Sequence, residues 1–316
     1  MQPSQPLQPD PIFTIVQVDG VRLDRAIADW RGLSRAAVLR LLDQTAVHVN
    51  GRAMARRNKG DLLCAGDRIT LNAAYGEAEA PRIDTSLVLT VLVRGDGWLA
   101  INKPPGVPVR PHALDETGTV LNAVVAQHPE IVGVGEAGLR SGVVHRLDND
   151  TSGVLMVATQ YHSWLDLREA FSDHLIKKRY LALVHGAIGQ SGESRRDLSI
   201  ASHQPARVKV QQAGEGGAGA RTCSLAWHVV ERFGERASLI DVDLHTGFLH
   251  QVRVMMSDIG HPVVGDVAYG SDTSDVHASR QMLHAASLAY QDIQIAAPMP
   301  DDMHQVLASL RGFSVE

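Results

Sequence analysis

At 316 residues, with 44% hydrophobic and 21% charged side chains, the chain can build one large core or two modest ones and has the composition of a soluble globular protein. Lys and Arg total 30 against 35 Asp and Glu, a formal charge of -5, which excludes binding of nucleic acid by overall basicity and confines such contacts to local patches. Cys64 and Cys223 stand in separate segments, excluding a disulfide framework or thiolate metal site, and with no basic, apolar leader or run of about 18 apolar residues the expectation is a cytoplasmic protein outside the membrane.

The chain opens with a short alternating stretch from Phe13, after which Leu23, Ile27 and Trp30 recur at helical spacing. Ser34 is the expected N-cap of a second helix with Val38, Leu41 and Leu42 on one face, followed by strand-like Val47-His48-Val49 and the turn pair Asn50-Gly51. Arg35 falls in the first turn of that second helix, where a cation opposes the helix dipole at a cost of about 0.3–1 kcal/mol. Arg40, Arg52, Arg56, Arg57 and Lys59 add a local positive excess suited to phosphate contacts; a merely solvated charged face is the plain alternative.

This segment, residues 13–76, resembles the S4-like RNA-binding domain in Arg22-Leu-Asp-Arg-Ala-Ile, Leu33-Ser-Arg, Val47-His-Val-Asn-Gly and Gly66-Asp-Arg-Ile, in that order. The resemblance implies a small α-rich module that grips structured RNA and catalyses nothing. Residues 77–86, poor in apolar side chains and holding Pro81, are the expected linker to a second domain over 87–316.

In that second domain, strand-like runs at 87–93, 154–158, 180–184, 225–230 and 239–244 alternate with few helical stretches, at Val120–Gln127 and 164–175. The fold class expected is α+β, with a mixed, mainly antiparallel sheet. The glycine-rich residues 213–220 read as a hairpin loop and lack the pattern of a phosphate cradle. The 15 histidines are scattered, with no HExxH, and no metal is expected. Met282, Leu283, Leu288 and Tyr290 read as core.

The polar string Val144-His145-Arg146-Leu147-Asp148-Asn149-Asp150-Thr151-Ser152-Gly153 runs directly into apolar Leu155-Met156-Val157-Ala158, a loop entering a buried strand, where sites are commonly built. A turn organised by Asp148 is the structural alternative. The string resembles the HRLDxxTSG signature of the RluA-type pseudouridine synthases. Ala100-Ile-Asn-Lys-Pro-Pro-Gly106, Lys178-Arg-Tyr-Leu-Ala-Leu-Val-His-Gly186, Thr246-Gly247, His250-Gln-Val-Arg253, Gly260-His-Pro-Val-Val-Gly-Asp266 and Leu283-His-Ala285 follow that family's order, so the resemblance covers nearly the whole chain.

It implies that Asp148 is the catalytic carboxylate, Tyr180 the aromatic against the target base, and Arg253 the cation paired with the aspartate. An adjacent arginine favours the charged form that a nucleophilic carboxylate needs. The resemblance further implies that Arg146 fills the space left by a flipped base, with an ion pair to Asp150 as the structural alternative, and it places Lys103 and His250 among the RNA contacts. Isomerising uridine to pseudouridine needs no metal or organic cofactor.

The third motif departs from the family: Phe248 and Leu249 stand where Arg and Thr are usual, and Met256 where a histidine is common. The expected partner is RNA, large-subunit ribosomal RNA ahead of transfer RNA, acted on by a monomer. Two other readings stay open. One is glycoside hydrolysis, which normally needs two flanking carboxylates; the other is a catalytically weakened RNA-binding factor in ribosome assembly.

Overall fold

The computed structural model describes residues 12–31, 35–43, 46–71, 80–136, 138–203, 205–211, 219–270 and 276–312. The N-terminal segment builds its own core. Helices Leu23–Arg31 and Arg35–Asp43 bury Leu23, Ile27, Val38, Leu41 and Leu42, the periodic positions of the sequence, with Trp30 partly buried beside them. They pack with a four-stranded antiparallel sheet, in the order Ile12–Ile15, Arg68–Leu71, Val47–Val49, Arg52–Met54, which adds more strand than the sequence pattern marked. Asn50 and Gly51 join the last two strands with φ of 49° and 81°, the left-handed pair a tight hairpin requires. Ser34 lies outside the described residues, as does the side chain of Arg35.

Pro81 is buried, and the residues after it are tied to the larger domain: the Asp84 carboxylate accepts from Gly118 N–H, and Asn122 donates to the carbonyl of Arg82. The part of the expected linker from 81 to 86 is thus hydrogen-bonded to Gly118 and Asn122.

The second domain is α+β. Its ten-stranded sheet runs Ala206–Val210, Ser191–His203, Arg221–Phe233, Ala237–Leu244, Lys177–His185, Leu283–Tyr290, Ser152–Ala158, Trp98–Lys103, Thr90–Gly95, with Ile293–Ala296 also paired to Leu283–Tyr290. Every pairing is antiparallel except that of Leu283–Tyr290 with Ser152–Ala158. Residues 212–218 of the glycine-rich segment lie outside those described; the strands on either side of it both pair with Ser191–His203.

Helix Val120–Gln127 starts where the sequence placed it, capped by Thr119 and Asn122, which exchange side-chain and backbone hydrogen bonds. Helix Tyr161–Ser172 begins three residues before the expected start, and Asp301–Gly312 closes the domain. Met282, Leu283 and Leu288 are core, as expected, with Tyr290 at its margin.

The single parallel junction fixes the site. Gly153 has φ +115° and faces Ala285, and a Cβ there would lie 2.2 Å from the Ala285 carbonyl oxygen. Only glycine lets the two central strands approach. Ala285 in turn pairs with Tyr180 on the next strand, so Gly153, Ala285 and Tyr180 form one row across three strands.

Candidate active site

The loop holding Asp148 is pinned through three consecutive carbonyls. Lys103 Nζ donates to Asn149 O at 2.7 Å and to Thr151 O at 2.9 Å, and Arg280 Nη1 donates to Asp150 O at 2.9 Å. Lys103 is fully buried and also bonds Pro104 O. Burial pushes its pKa down to about 7, against the pull of Asp150 and Asp148. The expectation that Lys103 contacts RNA is therefore corrected: every donor of its ammonium is committed inside the protein. Asp148 does organise a turn, but through its carbonyl, which accepts from Thr151 N–H. Its carboxylate is left to the cleft.

Arg253, on helix Gln251–Asp258, reaches that carboxylate with Nη1, 3.1 Å from Asp148 Oδ2. Its other edge makes a two-point contact with the buried Asp266, Nε to Oδ2 at 2.6 Å and Nη2 to Oδ1 at 2.8 Å. Burial opposes charge on Arg253, but hydrogen bonding and attraction from Asp266, then from Asp148, hold its pKa above the ordinary value. Burial likewise pushes the Asp266 carboxyl up, and Arg253 with the N–H groups of Ala268 and Tyr269 brings it below its ordinary value. Both groups stay ionised at neutral pH. Asp148 Oδ1 makes no hydrogen bond among the described residues, so one oxygen is held by a cation and the other is open.

The walls come from three elements. Tyr180 lies at a bulge in strand Lys177–His185, where such irregularities re-aim a side chain. It is largely buried, and burial followed by the Asp148 charge raises its hydroxyl pKa, keeping the phenol neutral. Leu244, Phe248 and Leu283 complete an apolar lining around a narrow cavity of about 60 Å³. Gln251 organises the departed motif: its Oε1 accepts from Thr246 Oγ1 and Phe248 N–H, and its Nε2 donates to Ser224 O. Among the described residues Asp148 is the single carboxylate lining this cavity and Asp150 is not part of it, so they do not assemble the paired acids of glycoside hydrolysis here.

His250, expected among the RNA contacts, is half-buried and lines the cavity beside the carboxylate. Its φ of 53° turns the chain into the helix, its Nε2 stands 3.8 Å from Asp148 Oδ1, and its Nδ1 bonds Tyr269 Oη at 2.8 Å. Burial lowers its pKa while Asp148 pulls the other way. Arg146 is exposed at the mouth and forms no ion pair with Asp150 or any other described residue. In the N-terminal segment Arg40, Arg52 and Arg57 are exposed, Lys59 is half-buried, and Arg56 lies 3.5 Å from Asp43. Met256 is fully buried in the core.

Sequence reasoning missed Asp266 and Tyr269 as parts of the site. Tyr269 joins three groups, taking Val208 N–H and His250 on its hydroxyl and lying under the Arg253 guanidinium, 5.2 Å from the ring centre. Asp266 ended a quoted motif, and an acid beside a tight glycine turn was its one local signal. Among the described residues no three His, Cys, Asp or Glu side chains are grouped to hold a metal ion.

Residues 97–258 match the RNA pseudouridylate synthase family. Ribosomal large subunit pseudouridine synthase D of Nitrosomonas europaea is 32% identical over 309 residues, covering 92% of this chain and 85% of the relative. The chain belongs to the RluA-type RNA pseudouridine synthases. The protein of the same name from Vibrio parahaemolyticus is 32% identical over 312 residues, 92% of the synthase described here and 91% of the relative. The solved structure titled human RNA pseudouridylate synthase domain containing 1 aligns with 71% of the synthase and 95% of its own chain at a TM-score of 0.55 and 24% identity, a likeness of fold. No described helix of the synthase is long and apolar enough to cross a membrane.

Proposed function

We propose that this synthase isomerises uridine in large-subunit ribosomal RNA, with Asp148 as the transient covalent partner, Tyr180 as the wall against the base and Arg253 as the cation that holds the carboxylate. The observation that carries the assignment is the 3.1 Å contact of Arg253 Nη1 with one oxygen of Asp148, in a carboxylate that lines the cavity with Tyr180. A carboxylate held in that way is aimed, as a nucleophile must be.

In the reaction the bond from ribose C1′ to uracil N1 breaks, the base turns while held, a bond forms from C1′ to C5, and the C5 proton leaves as N1 gains one. Nothing is oxidised, reduced or hydrolysed. Tyr180, Leu244, Phe248 and Leu283 supply apolar surface to retain the detached base. Because the cavity is narrow, the target nucleotide enters with displacement of exposed Arg146, which then occupies the vacated position in the RNA stack, offsetting part of the few kcal/mol that flipping costs.

The names of the relatives support ribosomal RNA over transfer RNA as substrate. Residues 13–76 act as an S4-like module whose exposed Arg40, Arg52, Arg56 and Arg57, with Arg35 and Lys59, hold RNA phosphates. The enzyme works as a cytoplasmic monomer. The test is pseudouridine mapping of ribosomal and transfer RNA from cells carrying the wild-type gene, a deletion, or an Asp148→Ala copy. Loss of the same ribosomal sites in deletion and variant is expected. A tRNA-only change would overturn the substrate, and an unchanged map would favour an RNA-binding assembly factor whose altered Phe248-Leu249 segment marks lost activity.

A further inference from the structure

Beside the Asp148 cavity lies a larger hollow of about 450 Å³ with a different lining. The two share Arg146 and Leu147, so they are continuous at the residues immediately before the reacting carboxylate. Four guanidiniums, of Arg110, Arg140, Arg146 and Arg168, face the hollow against one carboxylate, that of Glu136. Glu136 serves two of them, with Oε2 2.8 Å from Arg140 Nη1 and Oε1 3.8 Å from Arg168 Nη2. Arg168 is further held by the carbonyl of Val144.

Arg110 and Arg146 form no ion pair with any described residue, and Arg110 has only the carbonyl of Pro111 as a hydrogen-bond partner. Arg110 is half-buried, and burial, then the charges of Arg140 and Arg146, work against its protonation. Crowding like charges in a concave, partly desolvated place costs free energy unless an anion answers them. The rest of the lining is different in kind: Pro108, Val109, Val143 and Leu147 are apolar, and the neutral ring of His145, also in the lining, stacks on Phe171. Forked donors and apolar side chains in one hollow match a phosphodiester joined to a flat base.

We propose that this hollow binds the nucleotide adjoining the target uridine in the RNA strand, its phosphodiester on Arg110 and Arg140 and its base on Pro108, Val109 and Leu147. The assignment rests on the reading of the Asp148 cavity as the place of the target base. Arg146, shared by the two hollows, then separates the flipped uridine from its neighbour. The site also accounts for the cost of keeping Arg110 beside two other cations, which Glu136 alone does not offset.

The test uses the full chain and a fluorescent nine-uridine oligoribonucleotide, with affinity measured by anisotropy across a KCl series. Arg110→Gln is expected to weaken binding about 3–10-fold and to reduce the slope of log affinity against log salt by about 0.7, the share of one single-strand phosphate contact. Arg110→Gln with Arg140→Gln should lose about twice that slope, Arg110→Lys should keep it, and Arg311→Gln, an equal charge change outside the hollow, should match wild type.

Wild-type affinity and slope in Arg110→Gln and in the double variant would overturn the site. In parallel, each protein is given RNA from deletion cells and pseudouridine is mapped. If wild type modifies nothing while the binding losses appear as expected, the reading of the Asp148 cavity fails and takes with it the assignment to the target's neighbour, and the hollow stands only as a site for single-stranded RNA. If wild type modifies its sites and the binding variants are unaltered, the reverse holds.

Discussion

Asp266 accepts two hydrogen bonds from Arg253, at 2.6 and 2.8 Å, and leaves one guanidinium nitrogen to Asp148. The buried aspartate, which is not part of the lining of the Asp148 cavity, thereby sets the direction of the arginine that meets the nucleophile.

Replacing Asp266 with Asn removes the charge that balances Arg253 while keeping the shape. Breaking a buried pair from one side costs about 3–5 kcal/mol, because the remaining ion is left uncompensated. Arg253 then turns toward Asp148 and engages both its oxygens. We expect Asp266→Asn to unfold at lower urea and, where folded, to lose at least about tenfold in kcat with little change in KM, since substrate surfaces are untouched. Single-turnover kinetics beside a urea titration check it; an unchanged kcat would show that Asp266 serves stability alone.

Lys103 is the second buried cation on which the site depends. Its three carbonyl acceptors include those of Asn149 and Thr151, on either side of Asp150. Lys103→Met fills the same volume but leaves these acceptors unpaired at about 1–3 kcal/mol each. The expected result is a destabilised chain whose Asp148 loop exchanges amide hydrogens faster than wild type, with kcat reduced more than RNA affinity. Reduced RNA affinity at normal kcat would restore the reading of Lys103 as an RNA contact.

That reading illustrates what the sequence could carry. The apolar spacing of Leu23, Ile27, Val38, Leu41 and Leu42, and the bounds of helix Val120–Gln127, are local signals, and the structure keeps them. Strand Ser191–His203 has mixed, mostly polar residues on both faces, so its sequence lacks a period-two pattern, and its place in the sheet comes from the neighbouring strands. The loop around Asp148 was legible because several unusual residues fall together. The burial of Lys103 against Asn149 and Thr151 depends on a chain return that no short window contains, and Asp266 meets Arg253 from 13 residues on, beyond the helix end, where no periodic pattern links them. A lysine beside two prolines in a turn reads as an exposed cation until the strand behind it is placed.

Gly153 offers a sharper test of the fold around the site. At φ +115° any Cβ is strained, and the one added by alanine would meet Ala285 O at 2.2 Å and Ala285 N at 2.8 Å. These are backbone atoms of the central sheet, which cannot swing aside as a side chain does. Gly153→Ala should therefore part the one parallel junction, costing several kcal/mol and abolishing activity, whereas Gly51→Ala, at a left-handed turn with open space, should cost only about 1 kcal/mol. Equal melting temperatures for the two variants would refute the argument.

His145 gives the site loop a pH limit. Its Nε2 accepts the N–H of Met156 at 2.8 Å, which ties the segment before Asp148 to the central strand and requires an unprotonated nitrogen. Burial, then the charges of Lys178 and Arg168, lowers the pKa of the ring from 6.5 to about 3. The unfolded chain therefore binds the extra proton between pH 6.5 and about 3, and the folded chain does not. Stability from this group is fully present above pH 6.5 and falls as the pH is lowered toward 3, by up to about 2 kcal/mol at pH 5. In His145→Gln the amide oxygen can accept the same N–H without titrating. The urea midpoint of wild type should fall more between pH 7.5 and pH 5 than that of the variant. His284 and His250, also lowered by burial, are common to both proteins and cancel in the comparison. Parallel pH dependence in the two chains would mean that His145 is already protonated in the fold and that Met156 N–H is held some other way.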